Sequence, residues 1–152
     1  MPLGFFEIKT TSSANPRELT ISSAAQLDDS FGKPIILIFL TIRLDANVGE
    51  NLPDMVTGLR QNLAEHPDAV GVFEGKLFEA GYLNEDALEY SMPQYSVQNI
   101  VFYLVGPGFP RITPAMLPPG VSTVEYTINL ASCRPHVIPQ SRALNLVCDS
   151  HE

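Results

Sequence analysis

The chain has 152 residues, of which 45% are hydrophobic and only 17% charged, and it carries a net charge of −8. That length and apolar content exclude a disordered chain and predict a single domain over residues 1–152. The acidic balance, with nine scattered Lys and Arg, argues against nucleic acid and against electrostatic membrane binding, because both need a basic field.

Residues 1–10 show neither the basic start nor the apolar run of a secretory signal. With no stretch long enough to span a bilayer as a helix, the expected place is the cytoplasm, or a virion for an assembly protein. Residues 3–10 read as a first strand, with Phe6 and Ile8 on alternate positions. A polar turn around Asn15-Pro16 follows, and Leu19 and Ile21 flank Thr20 in a short second strand. Residues 28–33 form a turn that leads into the central strand, residues 34–45. Ile35 to Leu40 is an unbroken apolar run, after which Leu40, Ile42 and Leu44 alternate with Thr41, Arg43 and Asp45. The pattern predicts a strand covered on both faces at its start and on one face at its end. Short connections between three successive strands predict antiparallel neighbours.

Asn51 is placed to cap a helix, with Pro53 and Asp54 in its first turn. Leu52, Met55, Val56, Leu59 and Leu63 make its apolar stripe, and Pro67 ends it at His66. A second helix is preferred to a hairpin for the next segment. Asp68 is its cap, Val70, Phe73 and Leu77 are spaced helically, and Gly81 is its terminator. Against it, Gly71 and Gly75 each cost about 1 kcal/mol in a helix interior. A third short helix starts at Asn84 and ends before Pro93. Residues 97–105 return to strand. Residues 106–120 contain five prolines and read as an arm or loop. Residues 122–131 alternate cleanly as a strand, and the C-terminal tail, residues 133–152, adds a last strand at 143–147. The sum is an α+β fold: a mainly antiparallel sheet of about six strands with a helical segment inserted in the middle of the chain.

Several groups of residues are candidates for chemistry. Cys133-Arg134-Pro135-His136 and Cys148-Asp149-Ser150-His151 are two Cys-x-x-His pairs, the donor set of a tetrahedral zinc site. Chance, and a disulfide between Cys133 and Cys148, are the alternatives, and no cofactor is the base expectation. Cys133 with His136 as base is a candidate nucleophile pair. Glu85, Asp86 and Glu89 read first as a solvated helix face and second as a cation or acid–base site. Gly106-Pro107-Gly108 lacks the Lys and Ser/Thr of a phosphate loop.

The sparse charge and the proline-rich arm point to a structural, non-enzymatic protein that self-associates, of coat, matrix or shell type. Phe109, Ile112, Met116 and Leu117 of the arm would be its oligomer interface. Copies of itself are then its partners, with another protein as the further option. The first alternative is a small enzyme or ligand-binding protein with an apolar cavity between sheet and helix, and Arg43, Tyr103, Glu125 and Tyr126 as polar groups. The second is a zinc-stapled interaction domain.

Overall fold

The computed structural model describes residues 4–45 and 47–147, which hold four α-helices and six strands. This is the expected α+β fold. The chain divides into two compact units, one made of the described residues up to Ile42 and from Val97 onward, the other of Arg43–Ser96.

The first sheet joins β1 (Phe5–Thr11), β3 (Ile35–Asp45), β4 (Gln94–Val105) and β6 (Val137–Ile138) in the order β1-β3-β4-β6. The second pairs β2 (Glu18–Ile21) with β5 (Tyr126–Asn129). β1 lies parallel to β3, with Phe5 opposite Ile35, Glu7 opposite Leu37 and Lys9 opposite Phe39. The expected antiparallel meander is therefore corrected. Residues 12–34 are long enough for the crossover that a parallel pair requires, and they place β2 in the other sheet.

The apolar run of β3 is covered on both faces, as its sequence predicts. Ile35, Leu37 and Phe39 join Tyr103 and Val105 against Leu19, Ile21, Leu27, Phe109 and Ile128. Ile36 faces the other way, toward Ile138, Ala143 and Val147. Full burial of side chains such as Ile36 and Leu37 stabilises by roughly 1.5–3 kcal/mol each. At the end of β3 the expected alternation fails, because Arg43 and its neighbour Leu44 are both exposed.

The proline-rich segment packs onto its own unit. Phe109 is buried, with its N–H bonded to the Gly106 carbonyl at 3.0 Å. Arg111 donates to the Leu27 carbonyl at 2.7 Å and to Asp29 at 2.9 Å. The alternating segment after it keeps only β5 as strand, because the Asn129 side chain accepts from the Ala131 N–H and caps helix α3 (Leu130–Cys133). The expected last strand is instead helix α4 (Gln140–Val147), whose Ala143 and Val147 are buried at i, i+4 spacing.

The second unit carries α1 (Leu52–Leu63) and α2 (Pro67–Glu79). Asn51 caps α1 by accepting from the Asp54 N–H at 2.8 Å. α1 stops three residues earlier than Pro67 alone would require, and Pro67 opens α2, where its missing N–H costs nothing. Gly81, at φ +80°, ends α2 as expected, with Tyr82 N–H bonded back to the Leu77 carbonyl at 2.9 Å. The third helix is only a 3-10 turn at Asn84–Asp86. Gly49, at φ +126°, lies against the Tyr95 carbonyl with no room for a side chain, and it leads into the Glu50–Tyr95 bridge. Among the described residues no helix is long and apolar enough to cross a membrane.

Candidate functional site

β1 is an edge strand, and its odd positions face the side covered by β2 and the 3-10 turn at Ala24–Leu27. Glu7 and Lys9 are two apart, so the strand directs both side chains to that face. They form an ion pair, Nζ to Oε1 at 3.3 Å, with only 17% of the Lys9 side chain and 23% of the Glu7 side chain exposed. Gln26 completes the cluster. Its Oε1 accepts from Lys9 Nζ and from the Ser22 N–H, each at 3.0 Å. Both neighbours are donors, which fixes the amide orientation and leaves its NH₂ pointing away from them. The turn that carries Gln26 is itself held by Ser23, whose hydroxyl accepts from the Ala25 N–H at 3.2 Å.

Glu7 and Gln26 line a groove of about 290 Å³ along the β1 edge, floored by Phe5 and Ile35 and bordered by Asp28 and Phe31. Both Asp28 carboxylate oxygens accept from Ser30, from its N–H at 3.1 Å and its hydroxyl at 3.0 Å. The arrangement is an acid that lines a largely apolar groove and an ammonium paired with it from the next position on the same strand face. Such a pair can orient a water molecule and stabilise negative charge developing on a substrate.

The acid–x–lysine pattern occurs twice in the chain, at Glu7-Ile8-Lys9 and at Glu74-Gly75-Lys76. The second lies on α2, where residues two apart diverge around the helix. Glu74 turns to Arg60 instead, which binds both its oxygens at 2.6 and 2.9 Å and reaches Asn84 at 3.0 Å. The hydrogen bond from Arg60 holds the Glu74 carboxyl below its usual range. Only the strand copy brings its acid and its lysine together.

The charge is divided unevenly. The described residues of the first unit hold six basic and five acidic side chains, whereas Arg43–Ser96 holds three basic and ten acidic. The acidic total that argues against a polyanionic partner thus resides largely in the unit without the Glu7–Lys9 pair.

The residues singled out from the sequence lie elsewhere. Phe109 is buried in its own core, Ile112 and Leu117 are half-buried, and Met116 is exposed. Cys133 is buried, its thiol donates to the Asn129 carbonyl at 3.6 Å, and burial raises its pKa. His136 is bonded instead to the Gly108 carbonyl at 3.1 Å and edges onto the Phe109 ring. Cys148 and His151, the other half of the zinc set, lie outside the described residues. Arg43 pairs with Asp45 at 3.1 Å within the second unit, and Glu125 is exposed. The Tyr126 hydroxyl accepts from the Ile112 N–H at 3.1 Å, and burial raises its pKa. Tyr103 forms part of the core and of a groove floor. Sequence reasoning passed over Glu7 and Lys9 because a three-residue pattern carries little information until its geometry is known.

A family model matches residues 1–131 and is described as "Putative PD-(D/E)XK family member, (DUF4420)". No curated protein and no solved structure matches the chain. The family match overturns the expectation of a self-associating coat, matrix or shell protein, and the virion with it. The motif that names the family pairs an acid with a lysine, and the match favours the alternative of a small enzyme over the structural reading. Glu7-Ile8-Lys9 reads (D/E)XK letter for letter and lies within the matched residues.

Proposed function

The chain belongs to the PD-(D/E)XK-type family DUF4420, and from that premise we propose that it is a nuclease-type hydrolase that cleaves phosphodiester bonds at Glu7 and Lys9. The observation that carries this reading is the same-face contact of the two side chains on an edge strand, beside an open groove. Glu7 takes a proton from the attacking water while the water oxygen bonds to phosphorus. Lys9 compensates the charge that develops on the phosphoryl oxygens. The ester oxygen leaves with the bonding pair and is protonated by solvent. Gln26 keeps the ammonium in place throughout, since its amide oxygen is itself anchored to the Ser22 N–H.

Magnesium is the cofactor that such a reading brings with it. A hard cation of that kind asks for six oxygens, one or two of them carboxylates. Among the described residues no three His, Cys, Asp or Glu side chains converge on one point. Glu7 is engaged by Lys9, and Asp28 by Ser30. The described residues alone do not make the site, and no step above is routed through a metal.

The test is cleavage of labelled DNA and RNA, single- and double-stranded, with and without added magnesium. Wild type is expected to cleave one of these, and Glu7→Gln and Lys9→Ala to lose activity by about 10²-fold or more, in line with removal of a general base or a charge-stabilising donor. Full activity in both variants would end the proposal.

A further inference from the structure

A second groove, of about 640 Å³, opens on the face of the first sheet that carries Lys9. Its floor is Phe39, Val101 and Tyr103, and one wall is the loop from Ala14 to Arg17. Lys9 is the register partner of Phe39, so its backbone runs one strand spacing, about 4.8 Å, from that of a residue of the groove floor. A smaller groove of about 370 Å³ shares Pro16, Arg17, Tyr103 and Leu130 with it and continues to Arg134. Together they form one channel on the sheet face that Lys9 shares, running toward α3.

Two cations line this channel. The Arg17 carbonyl accepts from the Leu130 N–H at 2.9 Å. Leu130 opens α3, and Arg134 follows at i+4, one helical turn and about 6 Å further on. Both arginines are exposed. Lys9, Arg43, Arg60 and Arg111 each have a carboxylate within 4 Å, but Arg17 and Arg134 have no such partner among the described residues. Arg134 also acts on the floor, where its charge lowers the Tyr103 hydroxyl pKa against the larger raising effect of burial. Guanidinium groups with no carboxylate partner among the described residues, above an uncharged floor, suit an anionic chain, because the fork of N–H donors matches phosphate oxygens.

We infer that Arg17 and Arg134 are phosphate contacts that hold the backbone of a nucleic-acid strand in this channel and lead it to Lys9. The inference rests on the nuclease reading above and adds the path of the substrate. Contacts of this kind carry no sequence information and position the strand only. This path accounts for how an acidic protein takes a polyanion: the strand meets the unit whose charge is nearly balanced, whereas Arg43–Ser96 holds ten acidic and three basic side chains.

The experiment measures binding of a short labelled oligonucleotide by the Glu7→Gln full chain across a series of salt concentrations, beside cleavage by the wild type. Adding Arg17→Ala and Arg134→Ala is expected to weaken binding at least tenfold for every sequence. The slope of log affinity against log salt should fall in magnitude by about 1.4 for a single strand. Arg17→Lys with Arg134→Lys should restore most of the slope. Arg142→Ala, an exposed arginine on α4, should change nothing. Unfolding curves of the variants should match the wild type, since the substituted side chains are exposed. If the double alanine variant binds with unchanged affinity and slope, the inference is overturned even where the wild type cleaves. If the oligonucleotide binds through both arginines but is never cleaved, the channel stands and the Glu7–Lys9 reading falls. If no oligonucleotide binds at all, the channel is overturned too.

Discussion

Glu7-Ile8-Lys9 and Glu74-Gly75-Lys76 are the same three-residue pattern in two kinds of backbone. On β1 the period of two brings acid and lysine to one face and into contact at 3.3 Å. On α2 the same spacing separates them by more than half a turn, and the acid is captured by Arg60 from the neighbouring helix. The residues around each copy agree with its role. Glu7 opens to a groove with a glutamine that anchors its lysine, whereas Glu74 ties α1 to α2 and, through Arg60, to Asn84. Chemistry is set here by what the backbone does with a pattern, and the letters are equal in both places.

Four measurements distinguish the two copies. The largest effect is expected under the strand copy. Leu37 is wholly buried opposite Glu7, and Leu37→Ala should destabilise the protein by about 2–5 kcal/mol, read from chemical denaturation. Next is the catalytic contrast. Lys9→Ala should cost about 10²-fold in phosphodiester cleavage, while Lys76→Ala should leave the rate within about twofold, the change of a surface side chain. Equal losses in both variants would erase the distinction drawn between strand and helix.

A smaller effect of opposite sign is expected at the centre of the helix copy. A methyl group at Gly75 would meet nothing within 4 Å, so Gly75→Ala should stabilise by about 0.5–1 kcal/mol without touching activity. The smallest effect is a pH dependence. Arg60 lowers the Glu74 pKa from 4.5, so the contribution of the pair is complete above that value and is lost as the pH falls through the depressed one. The protection of amides in α1 and α2, relative to their intrinsic exchange rates, should therefore fall in acid for the wild type and show less of this change in Glu74→Gln. An identical acid response in the variant would remove Glu74 as the cause.

Much of the fold was legible because local rules were in agreement. The buried run of β3, the Asn51 cap, Pro67 at a helix boundary and Gly81 at a helix end were each read from residues whose conformational demands are strong. Where the reading failed, a local pattern was open to two partners. Residues 143–147 alternate no better than they repeat at i, i+4, and the apolar cluster around Ile36 selected the helix. The parallel pairing of β1 with β3 was hidden because pairing direction depends on where the crossover packs.

The functional misreading had another source. Sparse charge and a proline-rich segment suggest assembly, but Phe109 belongs to the core and Arg111 is bound to Leu27 and Asp29 of the same unit. Net charge misled in the same way, since an average over the whole chain conceals the difference between its two units.

The strongly marked elements follow from the residues alone: the buried run of β3, the capped start of α1 and the glycine end of α2. Periodicity, caps and turn residues act over a few neighbours, and a chain carries that information wherever it folds. Packing settled which of the two like patterns brings its acid and lysine into contact, which face they occupy and which charges meet a partner. Those depend on contacts such as Lys9 with Gln26, Arg60 with Glu74 and Arg111 with Asp29, formed between residues distant in sequence. Their partners are set when the core closes, and no window of neighbouring residues contains them.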